Sequence, residues 1–450
     1  MPKKDERKNK RVKPGLPGGF RDYAPQDAIL KARLLEKIKK TFEDFGFDPM
    51  ETPAVERTEV LLGGEQESDK IIYRVNPASR GIKQGIKKDE LSLRFDLTVP
   101  LARFLAANPE IPKPFKRYQL GNVWRGESPQ AGRYREFMQA DLDIVGSSSL
   151  EADAEIISVV YQVFKNIGLN KFLIRINNRK VLNGLPSYAG FPGKKLGELL
   201  RVIDKKDKIG PEAVLKDINK LLGKAPAAKV NEFLEISGDT KTKLINARAL
   251  FVKIATAQEG IEELIGIARN LNAMGVKQEN WEIDYSIVRG LGYYTGPIFE
   301  AVLTSARDFG SMASGGRYDN LLLPFTGEKL PAVGASFGID RFLAALEKLG
   351  GIKKRLTTTK VLILNLSPEL KPEYLEMASL LRSSNINTTL YLGDDRAFQA
   401  QLAYAVKKEI PYVIIYGEEE RKKGVVTIKD MEKREQREIP KGNILQYFRK

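Results

Sequence analysis

The chain has 450 residues, of which 42% are hydrophobic and 29% charged, and this length fits a folded protein of two or three domains. It contains no cysteine and no histidine, which excludes disulfides, thiolate nucleophiles, imidazole bases and metal sites built from these ligands. Catalysis must therefore use carboxylates, arginine, lysine, tyrosine, backbone dipoles or a hard cation such as Mg²⁺. This restriction favours phosphoryl or nucleotidyl chemistry, in which positioning and charge stabilisation dominate.

The charge balance is basic, with 74 lysines and arginines against 58 acidic residues and a net charge of +16. Such an excess suits a nucleic-acid partner, because neutralising phosphates releases condensed counterions. A solvated basic surface would give the same balance, so charge alone leaves both interpretations open. No stretch approaches the roughly 20 apolar residues of a membrane helix, and the N-terminus lacks the apolar core of a secretory signal. We therefore expect a cytoplasmic protein without a membrane segment, with a disordered basic arm over residues 1–14.

The first predicted domain covers residues 15–170. Hydrophobic periodicity predicts a helix over 28–45, and a strand over 47–55 follows Gly46. The remaining predicted elements of this part are a strand over 91–97, a helix over 98–107, strands over 118–126 and 135–145, and an amphipathic helix over 150–167.

The middle of the chain, residues 171–280, is lysine-rich and predicts a mostly helical insertion. Strand patterns return over 283–288 and 298–304, and residues 333–349 predict a strand followed by a helix, so 281–352 would complete the first domain. A polar linker follows over 353–359. Beyond it strands and helices alternate, which predicts a separate α/β domain over residues 360–450 with a partly parallel sheet.

The first segment that could carry chemistry is Arg94–Pro100. On a strand, Arg94, Asp96 and Thr98 would share one face because side chains alternate. An acid beside a hydroxyl at a strand end can hold an ammonium group. The same pattern fits a strand end at which Thr98 caps the next helix, and both interpretations stay open.

The second segment, residues 123–146, predicts a strand, a polar loop and a second strand. Alternation places Phe137, Gln139, Asp141 and Asp143 on one face, above a packed row of Met138, Ala140, Leu142 and Ile144. An exposed polar face would explain this row alone. A phosphate site is favoured by a cluster of charges in the same hairpin, namely Arg125, Glu127, Arg133 and Arg135. Phe137 offers a stacking surface for a purine.

The third segment, residues 287–300, surrounds Arg289 and the pair Tyr293–Tyr294 with three glycines, so the backbone can approach a ligand closely. Tyrosine pairs are also common core residues. Downstream, residues 315–319 predict another glycine-rich turn. Residues 338–341 place Arg341 near a helix N-terminus, where the helix dipole favours an anion.

In this order the segments resemble the signature of histidine–tRNA ligases. Residues 47–53 resemble motif 1 of the class II aminoacyl-tRNA synthetases, the hairpin resembles motif 2, and 338–341 resemble motif 3. Residues 289–294 resemble the element that separates this family from other class II enzymes. The resemblance spans residues 15–349, and 360–450 resemble the class IIa anticodon-binding domain. It implies an α+β fold in which an antiparallel sheet is flanked by helices, and a homodimer.

The resemblance also implies an activity. L-Histidine would be activated with ATP and Mg²⁺ to histidyl-adenylate and transferred to tRNA(His), giving histidyl-tRNA, AMP and diphosphate. The histidine carboxylate attacks the α-phosphate in this family, so no protein base is needed. The catalytic residues would be Arg125 and Arg289. The ATP site would comprise Arg125 at the α-phosphate, Arg341 at the γ-phosphate, Glu127 at the adenine amino group, Phe137 stacked on the ring, and Arg133.

The implied histidine site divides into an ammonium end and an imidazole end. Asp96 and Thr98 would hold the ammonium group, with Gln139 nearby, and Asp143 and Tyr294 would bond the two ring nitrogens. The full set is Asp96, Leu97, Thr98, Arg125, Gln139, Asp143, Arg289, Tyr293, Tyr294 and Tyr318. Gln130 and Arg135 would contact the acceptor end of the tRNA, and no metal-binding residues are predicted.

Three positions depart from the family pattern: Gly292 replaces an aspartate, Ser128 an arginine, and Asp340 a glutamate. Other interpretations are a regulatory paralogue that partners ATP phosphoribosyltransferase, an RNA-binding module with a synthetase shell, or another class IIa synthetase. Such paralogues usually lack the anticodon domain and parts of the ATP site, whereas this chain has Arg125, Arg289, Arg341 and a C-terminal domain. The element at 289–294 weighs against another class IIa enzyme.

Overall fold

The structure is a computed structural model that describes residues 12–63, 72–75, 90–128, 134–288, 292–350 and 354–449. The chain divides into two compact units. The first consists of the described parts of Met1–Arg21 and Leu34–Gly351, and the second of Asp22–Arg33 and the described part of Ile352–Lys450. Most of the predicted basic arm lies outside the described residues.

The first unit is built on a large sheet. Its strands are β1 (Asp48–Pro49), β2 (Val55–Arg57), β3 (Tyr73–Val75), β4 (Leu91–Leu93), β5 (Phe115–Trp124), β6 (Glu136–Val145), β7 (Phe172–Asn178), β8 (Trp281–Ile283), β9 (Pro297–Leu303), β10 (Ser311–Arg317) and β11 (Ala332–Gly338). In the described residues, eight strands form one sheet in the order β1-β5-β6-β11-β10-β9-β7-β8, and β2-β4-β3 form a small one. Neighbours in the large sheet are antiparallel except β1–β5 and β7–β8.

Helices precede, interrupt and follow these strands. They are α1 (Pro25–Asp44), α2 (Thr58–Leu62), α3 (Thr98–Ala107), α4 (Leu150–Ile167), α5 (Arg179–Asn183), α6 (Leu185–Ala189), α7 (Leu196–Ile203), α8 (Lys206–Ile209), α9 (Pro211–Leu222), α10 (Lys224–Leu234), α11 (Thr240–Leu250), α12 (Ala255–Ala273), α13 (Leu323–Thr326) and α14 (Ile339–Lys348). Those from α5 to α12 form the predicted helical insertion between β7 and β8. The predicted helices over 98–107 and 150–167 are confirmed residue for residue.

The core beneath the large sheet explains why apolar and polar residues alternate along β6. Ala140, Leu142 and Ile144 are buried on the lower face of the strand. Below the sheet, aromatic rings pack helices against strands. The ring centroids of Phe42 in α1 and Phe337 in β11 are 5.7 Å apart. Since one face of β6 is fixed in this core, the alternate residues must all point the other way.

Some sequence predictions were wrong. The stretch 171–280, predicted to be mostly helical, differs at its start, where residues Phe172–Asn178 form β7; the period-two burial of this strand runs over only seven residues and is hard to detect beside helices. The predicted strand over 91–97 ends at Leu93, and that over 283–288 ends at Ile283. The predicted turn at 315–319 begins inside strand β10. A Cβ on Gly315 would lie 2.1 Å from the Gly334 carbonyl oxygen, so this glycine permits close strands rather than a turn.

The second unit contains a mixed sheet of β12 (Val361–Ile363), β13 (Thr388–Leu390), β14 (Tyr412–Ile415), β15 (Val425–Asp430) and β16 (Glu435–Pro440). The order is β13-β12-β14-β15-β16, parallel through β14 and antiparallel beyond it, so the predicted partly parallel sheet is confirmed. Its helices are α15 (Lys371–Ser383), α16 (Phe398–Lys407), α17 (Glu418–Lys423) and α18 (Ile444–Arg449). Across both units, the described helices include none that is long and apolar enough to span a membrane.

Candidate active site

A cavity of about 520 Å³ opens on the upper face of the large sheet, where alternate residues of β6 point. Its walls come from β6, β10 and β11, from the segment that follows β5, from the start of α3 and α14, and from the segment before β9. Of the residues predicted for the site, it brings together Asp96, Thr98, Arg125, Glu127, Phe137, Gln139, Asp143, Tyr293, Tyr294, Tyr318 and Arg341.

The floor of the cavity is the polar row of β6. Gln139, Asp141 and Asp143 are 8%, 2% and 3% exposed, and they pair across the sheet with Gly338, Ser336 and Gly334 of β11 in that order. The Gln139 amide donates to the Ser336 hydroxyl at 2.6 Å. A floor with two buried carboxyls is costly unless cationic or hydrogen-bonding groups meet it.

Asp143 occupies the closed end of this row. The Arg117 guanidinium, which is fully buried, places Nη2 2.6 Å from Asp143 Oδ2, and the Tyr318 hydroxyl donates to Asp143 Oδ1. Burial raises the pKa of the Asp143 carboxyl, while Arg117 and Tyr318 act to lower it. A Cβ on Gly334 would lie 2.0 Å from Asp143 Oδ1, so only glycine fits beside this carboxylate.

Asp96 stands at the beginning of α3. Its carboxylate accepts a hydrogen bond from the Val99 amide at 3.1 Å, so Asp96 rather than Thr98 caps the helix, and Thr98 lines the cavity. Burial raises the pKa of the Asp96 carboxyl against the opposing effect of the Val99 amide and the Arg125 charge. Arg94 does not share this face. The strand has already ended, and the Arg94 side chain donates to the carbonyls of Asn122 and Thr52.

The opposite end of the cavity carries cations and an aromatic ring. The Arg125 guanidinium lies 5.1 Å from the centre of the Phe137 ring, and its Nε donates to the Phe95 carbonyl at 3.0 Å. Glu127 is exposed at the rim. Arg341 is the third residue of α14, as predicted, and donates to the Ser311 carbonyl. This end suits a ligand with a flat ring and phosphates.

Three tyrosines form one wall. The rings of Tyr293 and Tyr294 lie 4.4 Å apart between centroids, and Tyr293 meets Tyr318 at 6.1 Å. Tyr293 is 45% exposed and Tyr318 only 3%, so the wall runs from the mouth of the cavity to its depth. Burial and the neighbouring Asp143 charge keep the pKa of Tyr318 well above its ordinary value. The phenol therefore stays neutral and donates a hydrogen bond to Asp143.

Comparisons with known proteins agree with this geometry. A family model described as histidyl-tRNA synthetase matches residues 19–342, and one described as anticodon binding domain matches 360–450. The chain is 42% identical to the histidine–tRNA ligase of Paracoccus denitrificans, an alignment covering 95% of this chain and 92% of the relative. The chain belongs to the histidyl-tRNA synthetase family. It is also 41% identical to the histidine–tRNA ligase of Wolinella succinogenes, over 94% of each protein.

Solved structures also support membership of this family, and they confirm the predicted α+β fold with its C-terminal anticodon-binding domain. A crystal structure of histidyl-tRNA synthetase from a Nostoc species superposes with a TM-score of 0.87 at 32% identity, covering 98% of this chain and 99% of that one. A Bacillus halodurans protein described as an ATP phosphoribosyltransferase regulatory subunit/histidyl-tRNA synthetase superposes with a TM-score of 0.73. At 24% identity over 88% of this chain and 97% of that one, the second match shows a shared fold only.

Some residues predicted for the histidyl-tRNA synthetase site are not in the cavity wall. Leu97 is fully buried, and it contributes its carbonyl oxygen, which accepts from Arg117 at 3.2 Å. Arg135 lies outside the lining and donates to the carbonyls of Gly18 and Glu127. The remaining predictions, Arg289, Arg133 and Gln130, and the family-specific positions 290 and 291, lie outside the described residues.

Arg117, Asp141 and Ser336 were not predicted as site residues, although alternation did place Asp141 on the polar face of its strand. Arg117 precedes the predicted start of its strand at 118, so the alternation that would have aimed it into the site was not applied to it. Asp340, the departure from the family glutamate, accepts from Arg21 at 2.5 Å and from the Met138 amide at 2.9 Å. No group of three or more acidic side chains that could hold a metal ion occurs in the described part of the chain.

Proposed function

We propose that this member of the histidyl-tRNA synthetase family activates L-histidine with ATP and transfers it to tRNA(His), and that the histidine side chain enters the closed end of the cavity. The observation that carries the proposal is the Arg117–Asp143–Tyr318 cluster. It holds a carboxylate in a fixed orientation at the depth where a substrate ring would reach, behind a cation-rich mouth suited to ATP.

Imidazole recognition follows from the chemistry of this end. A neutral imidazole offers one N–H donor and one acceptor nitrogen. Asp143 would accept the donor, and Tyr294, whose pKa burial keeps well above its ordinary value, would donate to the other nitrogen. An acid and a neutral phenol together fit this ring, whereas an apolar side chain of similar size would leave both of them unpaired.

For the activation step we propose that the histidine carboxylate attacks the α-phosphate of ATP in line with the departing diphosphate. The carboxylate is already ionised, so the chain needs no base, in agreement with the absence of histidine and cysteine. Arg125 would stabilise charge at the α-phosphate together with Arg289, as catalytic residues. Asp96 and Thr98 would hold the ammonium group while Gln139 lies beside it.

The nucleotide would occupy the mouth of the cavity. Phe137 would stack on the adenine ring beneath Arg125, Glu127 would read the adenine amino group, and Arg341 and Arg133 would bind phosphates. Mg²⁺ would enter with ATP and be held chiefly by phosphate oxygens and water, which is the usual arrangement at nucleotide sites.

The tRNA would contact both units. Gln130 and Arg135 would meet its acceptor end, and the second unit, which matches an anticodon-binding domain, would bind the anticodon. We further propose that the enzyme is a homodimer joined through residues 47–53, and that it works in the cytoplasm, where its tRNA substrate is found.

The decisive experiment is ATP–pyrophosphate exchange with each amino acid in turn. Histidine should support exchange, and other amino acids should not. A regulatory paralogue or an RNA-binding module would show no exchange with any of them, and exchange with a different amino acid would identify another class IIa synthetase. Charging of tRNA(His) in the same preparation then tests the second step.

A further inference from the structure

Asp141 lies at the middle of the cavity floor, and neither the family resemblance nor the proposed function gives it a role. It is 2% exposed and lines the cavity between Gln139 and Asp143 on the same face of β6. The Ser336 hydroxyl, opposite Asp141 in the sheet register, hydrogen-bonds to its carboxyl group. The other oxygen, Oδ1, is buried and receives no hydrogen bond from any described residue.

Two guanidinium groups lie near Asp141, but neither donates a hydrogen bond to its Oδ1. Its carboxylate interacts favourably with Arg117 and Arg94 and unfavourably with Asp143 and Asp96. Arg117 places its Nη2 on Asp143, and the Arg94 side chain donates to the carbonyls of Asn122 and Thr52. A buried, half-satisfied carboxyl in such surroundings destabilises the protein unless a cation reaches it. The charged donor that Asp141 Oδ1 lacks is therefore expected from the ligand.

The position of Asp141 along β6 indicates which group of the ligand this is. Alternate residues of a strand are about 6.7 Å apart, so Asp141 lies one such step from Asp143 at the imidazole end and two steps from Phe137 at the adenine end. A histidine with its ring on Asp143 and its carboxylate near Arg125 would place its α-carbon above Asp141. Asp96, the acid proposed for the ammonium group, interacts with the Asp141 charge.

We propose that Asp141 is a further substrate-binding residue, whose Oδ1 accepts a hydrogen bond from the α-ammonium group of histidine and shares that cation with Asp96. This inference rests on the proposed function. With this role, Asp141 makes the site select ligands that carry a cationic group beside the imidazole ring. Burial, and then repulsion by Asp143, raise the pKa of the Asp141 carboxyl to about 7, with Arg117 opposing them, so the carboxyl is ready to release its proton when the ammonium group arrives.

The test compares two ligands that differ only in the amino group: histidinol and 3-(imidazol-4-yl)propan-1-ol. Both are used as inhibitors of histidine-dependent exchange, with the wild type and with Asp141→Asn. The wild type should prefer histidinol. In Asp141→Asn the inhibition constant of histidinol should rise roughly tenfold to a hundredfold, the range for losing one charged hydrogen bond, while that of the deaminated analogue changes little. The control is Asp143→Asn, which should weaken both inhibitors alike.

A second measurement uses the unmodified protein and does not depend on the folding of a variant. Calorimetric titrations at pH 7 in buffers of different ionisation enthalpy count the protons released on binding. Histidinol should release more protons than the deaminated analogue, since the rings are the same and only the ammonium group would ionise Asp141. Equal release, or equal weakening of both inhibitors by Asp141→Asn, would overturn the role of Asp141. Absence of exchange in the wild type would instead contradict the proposed function itself.

Discussion

At the scale of single residues, the histidine end of the cavity depends on one missing side chain. Gly334 passes so close to Asp143 that a methyl group would lie 2.0 Å from the carboxylate and 2.7 Å from the Leu142 carbonyl oxygen. Both neighbours are held, the carboxylate by Arg117 and Tyr318 and the carbonyl by the sheet. Neither can yield without breaking the cluster that we assign to imidazole recognition.

Gly334→Ala should therefore raise the histidine KM strongly, by about tenfold or more, and lower the free energy of unfolding by roughly 1–3 kcal/mol, the usual cost of overpacking. The ATP KM should change much less, because the nucleotide end does not touch this pair. Steady-state exchange kinetics and denaturant titration measure these effects. The matched control is Gly197→Ala on α7, where nothing lies within 4 Å of the new methyl group and stability should be kept or increased. An unchanged histidine KM in Gly334→Ala would contradict the assignment.

Asp141 should make the ligand-free protein less stable as pH rises. Its folded-state pKa of about 7 lies above the ordinary value of 3.8, mainly through burial and then through Asp143 against Arg117, so the folded state binds the proton more tightly. The stabilisation by protonation is complete below pH 4 and is lost as pH rises through 7. Asp141→Asn has no such titration, so its melting temperature relative to the wild type should increase between pH 5.5 and pH 8. A difference that is constant with pH would show that Asp141 does not titrate in this range.

At the scale of secondary structure, β7 supports the segment that precedes residues 289–294, which resemble the element specific to this family. The fully buried Asn177 side chain donates to the carbonyl of Tyr285 at 3.1 Å and to that of Ile287 at 2.8 Å. Next to it, Arg175 bonds Asp284 and Ser286 of the same turn. The turn after β8 is thus held residue by residue from Asp284 to Ile287, two residues before Arg289.

Replacing Asn177 with Ala should leave two buried carbonyls without their donors and reduce the free energy of unfolding by about 2–4 kcal/mol. If Arg289 acts in the transition state, kcat for exchange should fall while the histidine KM changes little. The control is Asn219→Ala, which removes one bond to the Leu215 carbonyl on α9 and should leave kcat unchanged. A stability loss without any effect on kcat, after correction for folded protein, would separate this turn from catalysis.

Long, periodic elements were predictable and short ones were not. The hydrophobic pattern extends over eighteen residues in α4 and ten in β6, which is long enough to predict both elements. The order of the motifs, through the family resemblance, then predicted which residues of β6 belong to the site. By contrast, the structural role of Gly334 depends on Asp143, which is far away in sequence, and no local pattern in β11 predicts that contact. The same holds for Arg117, because its importance comes from carboxylates on two other elements.

At the scale of the whole molecule, the two compact units predict two separable steps. Removing residues 356–450 takes away the domain that matches anticodon-binding domains but none of the cavity lining. Histidine-dependent exchange should remain measurable, while charging of tRNA(His) should fall by about 100-fold or more, since two linked contacts with the tRNA become one. A thermal melt of the truncated protein shows whether the first unit is still folded. Full charging by a folded truncated enzyme would contradict the anticodon-binding assignment.

The pairing of β6 with β11 also determines when the site can form during synthesis of the chain. Asp143 and Gly334, which face each other in the sheet, are separated by about 190 residues, including the whole helical insertion. At elongation rates of about 5–20 residues per second, the hairpin that carries Gln139, Asp141 and Asp143 would wait roughly 10–40 seconds on the ribosome for its neighbour. Until then the edge of β6 that pairs with β11 has no neighbouring strand, and the acidic side chains of β6 lack the residues of β11 that lie beside them in the folded protein. The pocket for the amino acid is thus completed only when synthesis of the first unit is nearly over.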